Sequence, residues 1–219
     1  MKEKNIYLFL KIFIKIIIMY KIAAFIEFNN KITKKILTQK KIIKKKFGDQ
    51  TYLNHPVHLT LFTLKIQKIS ELKKIYLEEK KKKHKPFIIE VKSSDIFIDD
   101  PLTQGHTIFY KIRKSKRIED IQLTHLKKIN KKIKVLKNDS NLFNIPILKR
   151  NYKKYGFPFA GKVWIPHITI ASIKNIKPNN KFICRFLKSQ MNSKCTVNEI
   201  KFYKIVKDKH DFLFTVRNI

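Results

Sequence analysis

The chain reads as an α+β protein, and two observations lead there. Runs of β-favouring residues follow one another in sequence, as at Phe87 to Val91, Ile96 to Ile98 and Thr107 to Ile112, and again at Thr196 to Val206 and Phe212 to Val216. Stretches with apolar residues at helical spacing separate these groups instead of alternating with every strand. Strands adjacent in sequence imply antiparallel sheets, with the helices packed on one side.

The elements follow in order. Tyr20 to Phe28 is apolar and β-favouring, so it reads as a strand. Asn29 and Asn30 open a Lys/Ile pattern to about Lys46, with Ile32, Ile36, Leu37 and Ile43 near one side of a helix. Gly48 and Asp49 end it. Val57 to Leu64 is a strand, Ser70 begins a second helix, and the EEKKKKHK segment reads as a solvated end or loop. Asp99-Asp100-Pro101 and Gly105 supply turn chemistry between strands, which predicts a hairpin. Ile118, Ile121, Leu126, Ile129 and Ile133 predict a helix to Leu136. Residues 137 to 161 hold Asn, Asp, Ser, Gly and two prolines and read as a long loop. Trp164 to Ile173 is a strand, Lys181 to Met191 a helix, and the last two β runs close the chain.

A length of 219 residues suits one substantial domain or two lobes sharing a core. With 43% hydrophobic and 30% charged residues, a packed globule is supported and wholesale disorder is excluded. Lys and Arg number 50 against 16 Asp and Glu, a formal net charge of +34. Two readings account for it. One is attraction to a polyanion, most naturally nucleic acid. The other is AT-rich codon use, since the excess is almost all Lys beside abundant Ile, Asn, Phe and Tyr. Either way the field draws anionic ligands. Cys184 and Cys195 lie in no metal-binding spacing, so two reduced, buried thiols in a cytoplasmic protein are expected.

Residues 5 to 18 are apolar but broken by Lys11 and Lys15. The run is too short and too charged for a membrane span, and it resembles a signal peptide poorly. As a helix it would set Lys4, Lys11 and Lys15 on one face, suited to a membrane surface. Alternatively, translation starts at Met19. Residues 1–18 are therefore read as a leader and 19–219 as the domain, with membrane contact only through the leader.

Two segments carry the chemistry: Pro56-Val57-His58-Leu59-Thr60-Leu61 and Ile165-Pro166-His167-Ile168-Thr169-Ile170. On a strand, residues two apart share a face. His58 and Thr60 then project together while Leu59 and Leu61 enter a core, and His167 and Thr169 do likewise. A lone strand histidine is most often structural; two copies with matched flanks are a pattern. Two imidazoles suit phosphodiester chemistry, one as base for an attacking water and one as acid for the leaving oxygen. Thr hydroxyls can donate to the non-bridging oxygens as charge builds there. This chemistry needs no metal or cofactor, and the sequence shows no carboxylate cluster.

These motifs resemble those of the 2H phosphoesterase superfamily, which includes RNA 2′,3′-cyclic phosphodiesterases also called 2′-5′ RNA ligases. The resemblance runs from about Tyr20 to Ile219, through HLTLF, PFIIEVKSSDIF, WIPHITIAS, VNEIKFYKI and FLFTV. It implies a bilobal fold, a pseudo-twofold pair of antiparallel sheets with helices outside and a central cleft. It implies His58 and His167 as acid and base, Thr60 and Thr169 as phosphate binders, and RNA or a cyclic nucleotide as substrate, with no stable protein partner. The alternatives are a non-catalytic RNA-binding module of the same fold and a 2′-5′ RNA-joining enzyme. Arg150, Tyr152 and Tyr155 in the long loop are candidate substrate contacts, through phosphate grip and base stacking. His106, His55 and His125 read as structural, turn and surface positions.

Overall fold

The computed structural model describes residues 19–77, 86–137, 144–207 and 209–217. The 1–18 leader and the EEKKKKHK segment lie outside them. Strands β1 (Tyr20–Glu27) and β2 (His58–Ile66) flank helix α1 (Asn30–Phe47), and α2 (Ile69–Leu77) follows. Next come β3 (Phe87–Asp100), β4 (Gly105–Ile112), α3 (Lys116–Lys132) and α4 (Pro146–Tyr155). After a short 3-10 turn at Gly161–Val163 the chain forms β5 (His167–Ile173), α5 (Lys181–Leu187), β6 (Gln190–Val197), β7 (Glu199–Val206) and β8 (Lys209–Arg217).

Local chemistry sets the helix ends. The Asn29 side chain accepts from the Ile32 amide and Ser115 accepts from that of Ile118, each satisfying a free N–H at a helix start. Helix α1 buries Ile32, Ile36, Lys40 and Ile43. Leu37 is exposed, contrary to the spacing, because Lys40 occupies that stripe and finds polar partners below it.

All eight strands form one antiparallel sheet in the order β6-β3-β4-β5-β2-β1-β7-β8. This corrects the expected pair of separate sheets. The order still divides into two four-stranded halves, β6-β3-β4-β5 and β2-β1-β7-β8. They meet where β2 pairs with β5 through Leu59 and Ile168. Two apolar motif strands left as edges would expose unpaired backbone, so edge-to-edge pairing joins the halves. One continuous core runs beneath, from Ile32 and Ile36 of α1 to Leu126 and Ile129 of α3.

Two further readings are corrected. The expected loop at 137–161 contains α4, which starts at a proline in its first turn and ends on left-handed Gly156 (φ 72). Proline fits a first helical turn because it needs no amide partner there. A Cβ at Gly156 would sit 2.3 Å from Val135, so glycine is required there twice over. The helix expected to Met191 stops at Leu187, and Gln190–Val197 becomes edge strand β6, paired with β3. Of the cysteines, Cys195 is buried but Cys184 is exposed; both are free. Among the described residues no helix is long and apolar enough to cross a membrane.

Candidate active site

Each motif begins its strand. Leu59 and Leu61, Ile168 and Ile170 are buried, while His58, Thr60, His167 and Thr169 stay partly exposed on the opposite face. Leu59 pairs with Ile168 in antiparallel register. Continued by one residue, that register sets His58 across from Thr169 and Thr60 across from His167. The two motifs thus meet head to head on one sheet face.

Both imidazoles are anchored alike. Nδ1 of His58 lies 2.8 Å from the Pro56 carbonyl, and Nδ1 of His167 lies 2.7 Å from that of Ile165. A carbonyl only accepts, so Nδ1 carries the proton in each bond. Nε2 is left to take or give a second proton, and the ring is fixed in both charge states.

The correspondence extends into the neighbouring strands. Pairing of β1 with β2 skips Leu61, and pairing of β4 with β5 skips Ile170, so a bulge follows each motif. Such an extra residue re-aims a strand beside a site. Phe25 then lies opposite Thr60, and Phe109 opposite Thr169. The Phe25 ring stacks on His58 at 3.8 Å, and Phe109 lies 4.9 Å from His167. Two residues on, Glu27 faces His58 and Lys111 faces His167. Glu27 pairs with Lys201 at 2.7 Å, Lys111 with Asp95 at 2.5 Å. The two flanking ion pairs occupy matching positions with their charges exchanged.

The electrostatic surroundings of the two rings differ. Burial pushes His58 down to about 3, against the bond to Pro56, and His210, His55 and Lys40 lower it further. Burial also lowers His167, but the Ile165 carbonyl and the Asp100 carboxylate oppose the shift. Asp100 is held in the β3–β4 turn by the Thr107 hydroxyl at 2.6 Å and the Leu102 amide. Burial tends to raise the Glu27 carboxyl, yet hydrogen bonds from Lys201 and Tyr203 outweigh it and hold the acid below its usual range.

Lys40 was not singled out by sequence. Its Nζ donates to the carbonyls of Tyr52 and His55, at 2.8 and 2.6 Å. It thereby pins the turn whose next carbonyl, that of Pro56, anchors His58. Burial brings this lysine down to about 8. A lysine inside an Ile stripe was the available signal.

The other expected residues fall elsewhere. Tyr152 and Tyr155 lie on the buried side of α4, where the Tyr155 carbonyl accepts from Asn130, so neither ring is presented for stacking; Arg150 on the same helix is exposed. His106 is buried, its Nδ1 accepting from the Asp99 amide and its Nε2 donating to the Ile176 carbonyl. His125 is half-buried and bonded to the Tyr76 hydroxyl at 2.8 Å. His55 contacts His210 edge-on at 4.8 Å, within the ring cluster at His58. Among the described residues no group of three His, Cys, Asp or Glu side chains is arranged to hold a metal ion.

The model of the 2′-5′ RNA ligase superfamily matches residues 34–209, a span containing both motifs. The chain belongs to this superfamily. A structure of E. coli LigT complexed with NADP+ superposes with a TM-score of 0.56 at 11% identity, over 90% of this chain and 97% of LigT. The complex of E. coli LigT with 3′-AMP gives 0.54 at 12% identity, over 90% and 97%. A protein of Thermus thermophilus gives 0.61 at 12% identity, with the same coverage of each chain. At these identities the likeness establishes a shared fold. Comparison with curated proteins finds no match.

Proposed function

We propose that this chain is a phosphodiesterase that opens 2′,3′-cyclic phosphates on RNA or nucleotides, with His58 as base and His167 as acid. One observation carries the reading: two identically anchored imidazoles, each beside a Thr, meet in head-to-head register on adjacent strands. Superfamily membership supports it, and the nucleotide complexes of E. coli LigT favour a nucleotide-like ligand.

The step balances as follows. Nε2 of neutral His58 takes a proton from water while the water oxygen bonds to phosphorus. The P–O3′ bond breaks, and Nε2–H of charged His167 gives its proton to O3′. The product is a 2′-phosphomonoester with a free 3′-hydroxyl. Thr60 and Thr169 donate to the non-bridging oxygens. The role assignment follows the groups that shift each ring: His210, His55 and Lys40 lower His58, whereas the Asp100 carboxylate raises His167, with the facing Glu27 and Lys111 held in ion pairs by Lys201 and Asp95.

Hydrolysis of a 2′,3′-cyclic nucleotide by wild type, His58→Ala and His167→Ala tests this. Each substitution is expected to lower kcat about 10²- to 10⁴-fold with the fold intact by circular dichroism. Wild-type rates in either variant would sink the mechanism.

A further inference from the structure

A row of rings crosses the sheet away from His58. Phe25 on β1 lies 3.8 Å from His58, Tyr203 on β7 lies 5.2 Å from Phe25, and Phe212 on β8 lies 5.7 Å from Tyr203. Register agrees, since Phe25 and Lys201 are cross-strand partners and Tyr203 pairs with Phe212. The rings become more open along the row. Phe25 is 3% exposed, Tyr203 is half-buried with its hydroxyl on Glu27, and Phe212 is 57% exposed. At that exposure Phe212 leaves much of its apolar surface in water, with its ring edge-on to Tyr203.

Among the described residues the other half has a shorter row. Its row runs from His167 to Phe109 and Phe97, at 4.9 and 4.3 Å. It stops there, because pairing of β3 with β6 ends at Ser93 and Gln190, short of Phe97. Strand β8 runs beside β7 along the whole length of Tyr203 and beyond. The near-twofold correspondence is therefore broken at the sheet edge on the His58 side, and what breaks it is an exposed aromatic.

We propose that Phe212 is a stacking platform for a nucleobase of single-stranded RNA, on the 5′ side of the cyclic end. The proposal rests on the hydrolase reading for where the cyclic end sits. A 2′,3′-cyclic phosphate closes the 3′ terminus, so the rest of the strand can leave the site only in the 5′ direction. Three inter-strand spacings separate the β2 and β8 backbones, about 14 Å at ~4.8 Å each; β8 reaches His58 through His210, at 5.5 Å, and Phe212 lies two residues further along the strand. Stacked bases rise only ~3.4 Å each, so the base at Phe212 belongs to an upstream nucleotide and not to the terminal one. Stacking tolerates any base, since every base has a π-face, so the platform reads strand length and not sequence.

The test compares wild type, Phe212→Leu and Phe212→Tyr. Two substrates are used, a 2′,3′-cyclic mononucleotide and a tetranucleotide with the same end. A matching tetranucleotide carries 2-aminopurine, whose fluorescence falls on stacking, at an upstream position. Phe212→Leu is expected to raise KM for the tetranucleotide about tenfold or more, to leave the mononucleotide unchanged and to relieve the quenching. Phe212→Tyr keeps all three values near wild type. An unchanged tetranucleotide KM in Phe212→Leu, with hydrolysis intact, overturns the platform and leaves the hydrolase reading standing. If wild type hydrolyses neither substrate, the hydrolase reading fails and the fluorescence arm answers alone. Quenching lost only in Phe212→Leu then supports the platform; quenching absent in wild type or kept in Phe212→Leu overturns it.

Discussion

His58 and His167 are anchored alike but surrounded differently, and that difference sets a pH dependence. His58 is held down to about 3 by burial, with His210, His55 and Lys40 adding to the effect. His167 is lowered by burial but supported by Asp100. On the proposed assignment the base, His58, is free far below the ordinary histidine value of about 6.5, while the acid, His167, loses its proton below that value. The kcat/KM profile from pH 4 to pH 9 is expected to peak on the acid side of pH 6.5; a maximum above pH 7 contradicts the assignment. Stability moves with the same group. Unfolded His58 binds a proton near pH 6.5 and folded His58 near 3, so its contribution is whole above about pH 6.5 and is lost as pH falls towards 3. Which residues would sit at the site was partly legible in sequence, because His-x-Thr repeats on two β-favouring runs. Phe25, Phe109, Glu27 and Lys111 were not, because their places come from bulged cross-strand registers.

The motif strands are aimed by other elements. The bulges at Leu61 and Ile170 shift strand phase after each Thr, so both apolar faces continue into the core. Helix α1 acts through Lys40, whose ammonium holds the turn leading into Pro56 and His58. Lys40→Met leaves two carbonyls without that donor and frees the turn. Its expected effects are a fall in kcat/KM of roughly ten- to a hundredfold and a rise in the pKa of the acidic limb as a neighbouring cation is removed. Lys40→Arg should recover part of the rate; a wild-type pH profile in Lys40→Met would show that the lysine only supports the fold. At this scale the sequence located the capped helices α1 and α3, whose apolar spacing is regular. It missed α4, where turn-forming residues around Pro146 and Gly156 look like loop but serve as helix ends. It also missed β6, whose Gln190–Val197 alternation is only half apolar because an edge strand buries one face and pairs on one side.

Across the whole molecule, a formal charge of +34 accompanies a site proposed to take a polyanion. RNA affinity is predicted to fall steeply with added salt, linearly in logarithms with a slope set by the phosphates neutralised. Titrations of an RNA tetranucleotide across salt concentrations check this, and a flat response would assign the charge to composition alone. By itself the sequence determined the α+β class and singled out the residue pair proposed to carry the chemistry. Both are local: strand periodicity and a three-residue motif are written within a few consecutive positions. Tertiary structure decided that the halves fuse into one sheet through Leu59 and Ile168. It also decided that the flanking ion pairs exchange sign, that Lys40 holds the turn leading into His58, and that the aromatic row from His58 runs out to the exposed ring of Phe212. Each depends on pairing between strands far apart in the chain, where one bulged residue reassigns every neighbour beyond it.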